Sequence, residues 1–425
     1  MHRLRLLLLA LGLTSAFSVA TAADAARWWR GNLHTHSLWS DGDDFPEMIA
    51  ERYVTNGYHF LAFTEHNTLQ DTNKWITVVT PQKGATPAFE KYLARTGVSW
   101  VETRRTQDNR TEARLKPLAE YRSKFEQPGR FLLIQSEEIT DRWKTAALHM
   151  NAHNLREVIK PRGGSNVVEI LQANINAVFE QRQRTGQPMI PHINHPNFTL
   201  AITPEELMQL RGEKFFEVFN GHPTTYNNGT NRTPSTDSLW DIVLTRRLAE
   251  LKLDVMYGLG TDDGHHYHTN AIGKSNPLRG WVWVRAAQLT TESLIAALEA
   301  GDFYASSGVK LRELRQDAKS IALEIEPEPG VTYTTQFIGT RRGYDARHEP
   351  QRNTAGEVSR VAHTYSKDIG AVLAEVKGPT ASYQLKGDEI YVRAKVISSK
   401  PHPNPSQRGD FECAWLQPVV PGAKP

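Results

Sequence analysis

The feature that most constrains this chain is where its polar clusters fall. Between Trp28 and about Gly308, short apolar runs alternate with stretches of helical periodicity, and the apolar runs end in histidines and carboxylates. The strand-like runs are Gly31–His36, Phe60–His66, Phe131–Glu138, Met189–His195, Phe215–Asn220 and Val255–Asp263. Between them, Asp44–Asn56 carries Pro46 and Glu47 at its start and Gly57 just past its end, which are helix boundary signals. Val167, Leu171 and Ile175 line one face of a later helix, and Leu244, Leu248 and Leu251 one face of another. Strand–helix alternation of this kind predicts an α/β fold, a parallel sheet flanked by helices, either open or closed into a barrel.

At 425 residues the chain exceeds the ~250–300 at which a single core usually stops growing, so two domains are expected. After about Val309 the period shortens to two: Ile321, Leu323 and Ile325 alternate with less apolar neighbours, as do Ile390, Val392, Ala394 and Val396. Residues 311–425 therefore read as a smaller all-β, sandwich-like domain following an α/β unit over 23–310. Residues 68–130 are longer than a strand–helix connection requires. They hold a helical patch near Phe89–Arg95, a short run at Val98–Val101 and a charged helical stretch from Thr111 to Phe125, and are expected to be an insertion over the mouth of the site. The polar segment Pro223–Ser238 is expected to be a mobile loop over the same mouth.

Residues 1–22 have the layout of a secretory signal peptide: a basic start with Arg3 and Arg5, an apolar run from Leu6 to Leu13, and a small-x-small site at Ala20-Thr21-Ala22. The apolar run is far shorter than the ~20 residues a helix needs to cross a bilayer, so a periplasmic or secreted location with no membrane span is expected. Formal net charge is +3, and two of those charges lie in the leader, which leaves no field for gathering nucleic acid. The lone Cys413, expected in a strand, excludes an intrachain disulfide and Cys-rich metal sites.

Of 16 histidines, 12 lie from His34 to His268. His34-Thr35-His36 closes the first run, and residues i and i+2 of a strand share a face. A turn at Ser40-Asp41-Gly42 returns a carboxylate to the same neighbourhood. The later runs supply Glu65 and His66, Glu137 and Glu138, His149, His192 and His195, Glu217 to His222, and Asp262 to His265. Imidazoles and carboxylates gathered without partners are costly, and several metal ions would satisfy them together. A donor set without thiolates suits Zn, Mn or Fe.

The series G-N-L-H34-T-H36-S-L-W-S-D41-G, T-E-H66-N, S-E-E138-I-T, H149, N-H195-P and D-D263-G-H265 resembles the polymerase-and-histidinol-phosphatase (PHP) family over about residues 30–310. That resemblance implies a distorted (β/α)7 barrel with a trinuclear centre. One ion would be held by His34, His36, Glu138 and Asp263, a second by Glu138 as bridge with His149 and His195, and a third by Asp41, His66 and His265. The usual T-D-H-N reads T-E-H-N here, and Glu65 is expected to support ligands without binding metal. Glu137 is an alternative to Glu138 and His192 to His195; the family's pattern favours Glu138 and His195.

Together with the leader, which implies export, the resemblance implies a hydrolase with two to three divalent transition-metal ions, acting on a small-molecule phosphate ester with metal-bound hydroxide as nucleophile. Carbamate or carboxylic ester hydrolysis at the same centre is the alternative, and a non-catalytic periplasmic metal- or ligand-binding protein is the alternative of another class. Arg142 and Lys144, just beyond Glu138, are candidates to grip an anionic substrate, and His222 is a candidate substrate contact. Trp28, Trp29, Trp39, Trp75, Trp100 and Trp143 leave room for an aromatic substrate.

Overall fold

The computed structural model describes residues 26–352, 356 and 358–422; the expected signal peptide lies outside them. No helix among the described residues is long and apolar enough to cross a membrane. The chain opens with β1 (Arg27–Asn32), α1 (Pro46–Thr55) and β2 (Phe60–His66). A small antiparallel sheet follows, built from β3 (Lys74–Thr80), β4 (Gly84–Ala85), β5 (Thr103–Arg105) and β6 (Thr111–Leu115), with α2 (Pro87–Thr96) and α3 (Leu118–Phe125) beside it. Then come β7 (Leu132–Trp143), β8 (Ala146–His153), α4 (Val167–Thr185), β9 (Ile190–Ile193), α5 (Pro204–Leu207), β10 (Phe215–Asn220), α6 (Thr236–Arg246) and β11 (Tyr257–Thr261). β12 (Trp281–Ala286), α7 (Thr291–Glu299) and β13 (Phe303–Ser306) complete this part.

The remainder is all strand: β14 (Leu311–Asp317), β15 (Ser320–Ile325), β16 (Tyr333–Arg341), β17 (His348–Arg352), β18 (Val358–Tyr365), β19 (Ala371–Lys377), β20 (Thr380–Gln384), β21 (Glu389–Pro401) and β22 (Phe411–Val419). One 13-stranded sheet runs through both parts in the order β11-β10-β9-β8-β7-β2-β1-β12-β13-β22-β21-β16-β19. The link is β13 with β22, antiparallel through Tyr304–Leu416, Ala305–Trp415 and Ser306–Ala414. Ile321, Leu323 and Ile325 on β15 face Val392, Ala394 and Val396 on β21 across one core, so the β14-β15-β20 sheet covers the far end of the large one.

The pairing is less regular than the expected parallel array. β1-β2-β7 and β9-β10-β11 are parallel, but β7-β8-β9 is antiparallel. The reason is a hairpin: the chain reverses at Lys144, whose φ is 54°, and β7 pairs with β8 from Ser136–His153 to Trp143–Ala146. Glu138 is therefore in mid-strand, with five further ladder residues beyond it, not at a strand end. The two flanks of the β11-to-β1 array meet through an isolated parallel bridge, Thr35–Gly264, where Asp263 N donates to His34 O and His36 N to Gly264 O.

Other expectations need correction. His34 and His36 lie beyond the end of β1 in a loop. Thr111–Leu115 is a strand of the inserted sheet, and Val98–Val101 is turn. Leu251 is exposed because a π turn over Arg247–Leu251 shifts the helical phase after Leu244. The insertion packs Val78, Phe89, Tyr92, Ala113 and Leu115 on Trp39, Phe45 and Met48, and so buttresses the segment that carries Asp41. The loop before α6 is tied down at both ends: Asn197 Nδ2 donates to Tyr226 O and Pro234 O.

Candidate metal centre

All nine donor residues come together at one end of the strand array. His34 Nε2 and His36 Nε2 lie 3.1 Å apart; each is 3.3 Å from Asp263 Oδ1, and they are 3.5 and 3.2 Å from Glu138 Oε2. Donors ~2.0–2.1 Å from a shared ion at tetrahedral angles stand about 3.3–3.4 Å from one another. His34 and His36 of this quartet thus stand at about ligand spacing from each other and from each carboxylate, and His34, His36 and Glu138 form one compact donor group. Two imidazole nitrogens that close to each other and to two carboxylates make a poor set of mutual hydrogen bonds and a good set of ligands, so the residues fit a metal ion.

Glu138 is the hub. Its Oε1 lies 2.9 Å from His149 Nδ1 and 3.6 Å from His195 Nε2, and it accepts from Asn194 Nδ2 at 2.8 Å. Its Oε2 is also 3.1 Å from His66 Nδ1. A third grouping forms around Asp41, whose oxygens lie 3.3 Å from His265 Nε2, 3.4 Å from His66 Nε2 and 3.5 Å from His36 Nδ1. His36 thus presents Nε2 to the quartet and Nδ1 to Asp41, and His66 touches both Glu138 and Asp41.

Strand alternation explains this placement. Glu138 and Thr140 share one face of β7, where Thr140 Oγ1 is 2.5 Å from His66 Nδ1 and Thr140 pairs with His149 across the hairpin. Glu137 points the other way: its Oε2 accepts from Ile159 N, and burial pushes its carboxyl up to about 8. Asp262 likewise turns outward, accepting from Tyr53 Oη and the N–H groups of Leu278, Arg279 and Gly280. His192 faces the interior, with Nε2 3.2 Å from Glu217 Oε1 and Nδ1 3.0 Å from His153 Nε2. Two donor residues have backbones in the left-handed region, His195 at φ 21° and Asp263 at φ 51°, a strain that persists only where surrounding contacts fix it.

The electrostatics are those of an anion-rich pocket. Burial opposes charge on His34, but Asp263, Glu217 and Glu138 raise its pKa well above the ordinary value. Burial likewise works against ionised Glu138 and Asp263, yet the surrounding imidazoles hold both carboxyls well below the usual range. For His66, burial is outweighed by Glu138 and Asp41, and its pKa rises to about 9. Burial lowers His149.

Glu65 stands apart from the donors. Its carboxylate accepts from Ser37 N at 3.1 Å, Ser37 Oγ and Ser40 Oγ at 2.5 Å and Gln70 Nε2 at 2.7 Å, and so fixes the turn leading to Asp41. Arg142 falls on the Glu138 face of β7 at its exposed end, and Lys144 at the hairpin tip lies over the Trp143 ring. His222 lies at the rim, its ring 5.7 Å from that of His265, and burial lowers its pKa to about 4. The aromatic ring that meets the histidines is half-buried Phe198, at 5.0 Å from His195 and 6.0 Å from both His149 and His222; Trp29 and Trp39 are core residues. His266 and His268 serve loop hydrogen bonds with Ser275 and Asp43.

Sequence reasoning passed over one residue, Glu217 on β10, as part of a run. It is fully buried and lies 2.6 Å from His34 Nδ1. The available signal was a single acid inside the apolar run Phe215-Phe216-Glu217-Val218-Phe219.

No family model matches the chain, and no curated protein matches it. Among solved structures, it is similar to a two-domain protein of Bacteroides vulgatus containing a predicted PHP-like metal-dependent phosphoesterase. Identity there is 14%, the TM-score 0.41, and the match covers 96% of this chain and 100% of that one. It is also similar to a protein of Bifidobacterium adolescentis proposed as a metal-dependent phosphoesterase, at 14% identity and TM-score 0.28, over 58% of this chain and 89% of that one.

Proposed function

We propose that this chain is an exported, metal-dependent hydrolase of small phosphate esters that holds two to three divalent transition-metal ions, Zn, Mn or Fe. The observation that carries the reading is the pair His34 and His36 at ligand spacing from both Glu138 and Asp263, with the second oxygen of Glu138 turned to His149 and His195. The layout of residues 1–22 is the ground for export.

Divalent ions held there supply Lewis-acid polarisation of the ester and a lowered pKa for the attacking water. The chain's own groups do the rest. Glu138, Asp263 and Asp41 bring negative charge that offsets part of the charge of the cations, and Asn194 orients Glu138 through Oε1. Arg142 and Lys144, exposed on the β7–β8 hairpin, are assigned the role of gripping the phosphate group. Phe198 gives the leaving group an apolar face and shields the donors on that side from water.

The test is turnover of aryl phosphates, alkyl phosphates, aryl carbamates and carboxylic esters by the metal-loaded mature chain. Phosphate ester cleavage is expected, and removal of the metal should abolish it. Turnover confined to carbamates or carboxylic esters would move the reaction to a carbonyl carbon. A loaded protein inert towards every ester would be a binding protein.

A further inference from the structure

The polar residue with the most consequential contacts outside the nine donors is Glu217. We propose that Glu217 is the positioning residue of the metal centre, fixing His34 as the Nδ1–H tautomer and holding the backbone of His195 so that both present Nε2 to the ions. This inference rests on the metal-binding reading above and deepens it.

Glu217 stands in the middle of β10, beneath the donors. Its Oε1 lies 2.6 Å from His34 Nδ1 and 3.2 Å from His192 Nε2, and accepts from Thr261 Oγ1 at 2.8 Å. Its Oε2 accepts from the backbone N of His195 and from Asn220 Nδ2, both at 2.8 Å. Asn220 Nδ2 is in turn 3.2 Å from Asp263 Oδ2. One carboxylate therefore reaches three donor residues that arrive from three different strands: the ring of His34, the strained backbone of His195 and, through Asn220, the carboxylate of Asp263.

The chemistry of the contact with His34 is directional. An ionised carboxylate only accepts, so the hydrogen between Glu217 and His34 sits on Nδ1, and in the neutral ring the lone pair is then the one on Nε2. Nε2 is the atom that faces His36, Glu138 and Asp263. A carboxylate behind a metal-binding imidazole also raises the basicity of the ring. The competing reading makes Glu217 a ligand, since His34, His192 and Glu217 also form a compact donor group. The atoms involved argue against it: Glu217 meets His34 at Nδ1, whereas Nε2 is the atom turned to His36, Glu138 and Asp263. The carboxylate's lone pairs are also already engaged by five partners.

The experiment is zinc binding by the full mature chain and by Glu217→Gln, read as zinc equivalents by elemental analysis and as affinity by competition with a chromophoric chelator. Glu217→Gln should keep the wild-type number of equivalents while binding about 10–100-fold more weakly. Thr335→Val, a buried position on β16 outside the contacts of Glu217 and the donors, should bind like wild type. Unchanged affinity in Glu217→Gln overturns the proposal, and loss of a whole equivalent overturns it in favour of a ligand role. Should Glu217→Gln not fold, nitrogen-15 histidine spectra of the zinc-loaded wild type decide: His34 with hydrogen on Nδ1 and zinc on Nε2 supports the proposal, and the reverse overturns it. Turnover plays no part in these readouts, so failure of the hydrolase reading leaves this result standing. A wild-type chain that binds none of zinc, manganese and iron ends both.

Discussion

Across the β7–β8 hairpin, Glu138 Oε1 lies 2.9 Å from His149 Nδ1, while the other oxygen of the same carboxylate lies 3.2 Å from His36 Nε2. One side chain thus faces two groups of imidazoles in opposite directions. Glu138→Ala should deplete two ions together, measured as metal equivalents in the purified protein. Loss of a single equivalent would mean that Glu138 serves one site and bridges nothing.

The Asp41 group depends on a different carboxylate. Glu65 secures Ser37 and Ser40, and without it the turn that carries Asp41 loses the carboxylate that ties both serines to β2. Glu65→Ala should lose the ion of the Asp41, His66 and His265 group and keep those around Glu138. Elemental analysis on one preparation would show this as about one equivalent missing, whereas a full complement would show the turn to be self-supporting.

The two parts of the chain share a buried ion pair. Arg393 on β21 is 1% exposed and donates from Nε and Nη2 to the two oxygens of Asp241 on α6, each at 2.7 Å. Asp241→Ala strands that guanidinium, and breaking a buried pair by removing one member costs about 3–5 kcal/mol. Urea unfolding followed by tryptophan fluorescence should show the lowered midpoint. A change under about 1 kcal/mol would mean that Asp237, 3.1 Å from Arg393 Nη1, takes over the pairing.

Asp237 also gives the fold an acid limit. Burial pushes its carboxyl up, but Lys395 and Arg393 outweigh it and bring the pKa down to about 2, below the ~3.9 of an unfolded aspartate. Its stabilising contribution is therefore complete above about pH 4 and is lost as pH falls through about 2. Unfolding midpoints measured from pH 5 to pH 2 should drop more steeply for wild type than for Lys395→Met. Parallel curves would remove Lys395 as the cause.

The donor positions were legible because an α/β array gathers what its strand ends carry, and the spacing of His34, His36, His66, His195, Asp263 and His265 follows those ends. Between neighbours the family resemblance already favours Glu138 and His195, and the strand geometry supplies the physical reason. Glu137 and Glu138 differ only in which face of β7 they occupy, and His192 and His195 in whether the side chain precedes or follows the strand end. The hairpin was hidden because its two-residue loop, Lys144-Thr145, is not the Asn-Gly or Asp-Gly dipeptide that marks a tight reversal. Glu217 was hidden for a related reason: its meaning lies entirely in partners at Thr261, His192 and His34, which are distant along the chain.

The seam between β13 and β22 has a consequence for how the molecule is assembled. The edge at Phe303–Ser306 can be covered only when residues more than a hundred positions later have been synthesised. Until then that edge offers open backbone groups to any passing strand. The final stretch of the polypeptide is thus a keystone for the larger unit, and a chain cut near residue 310 should emerge sticky and insoluble instead of as a smaller working protein.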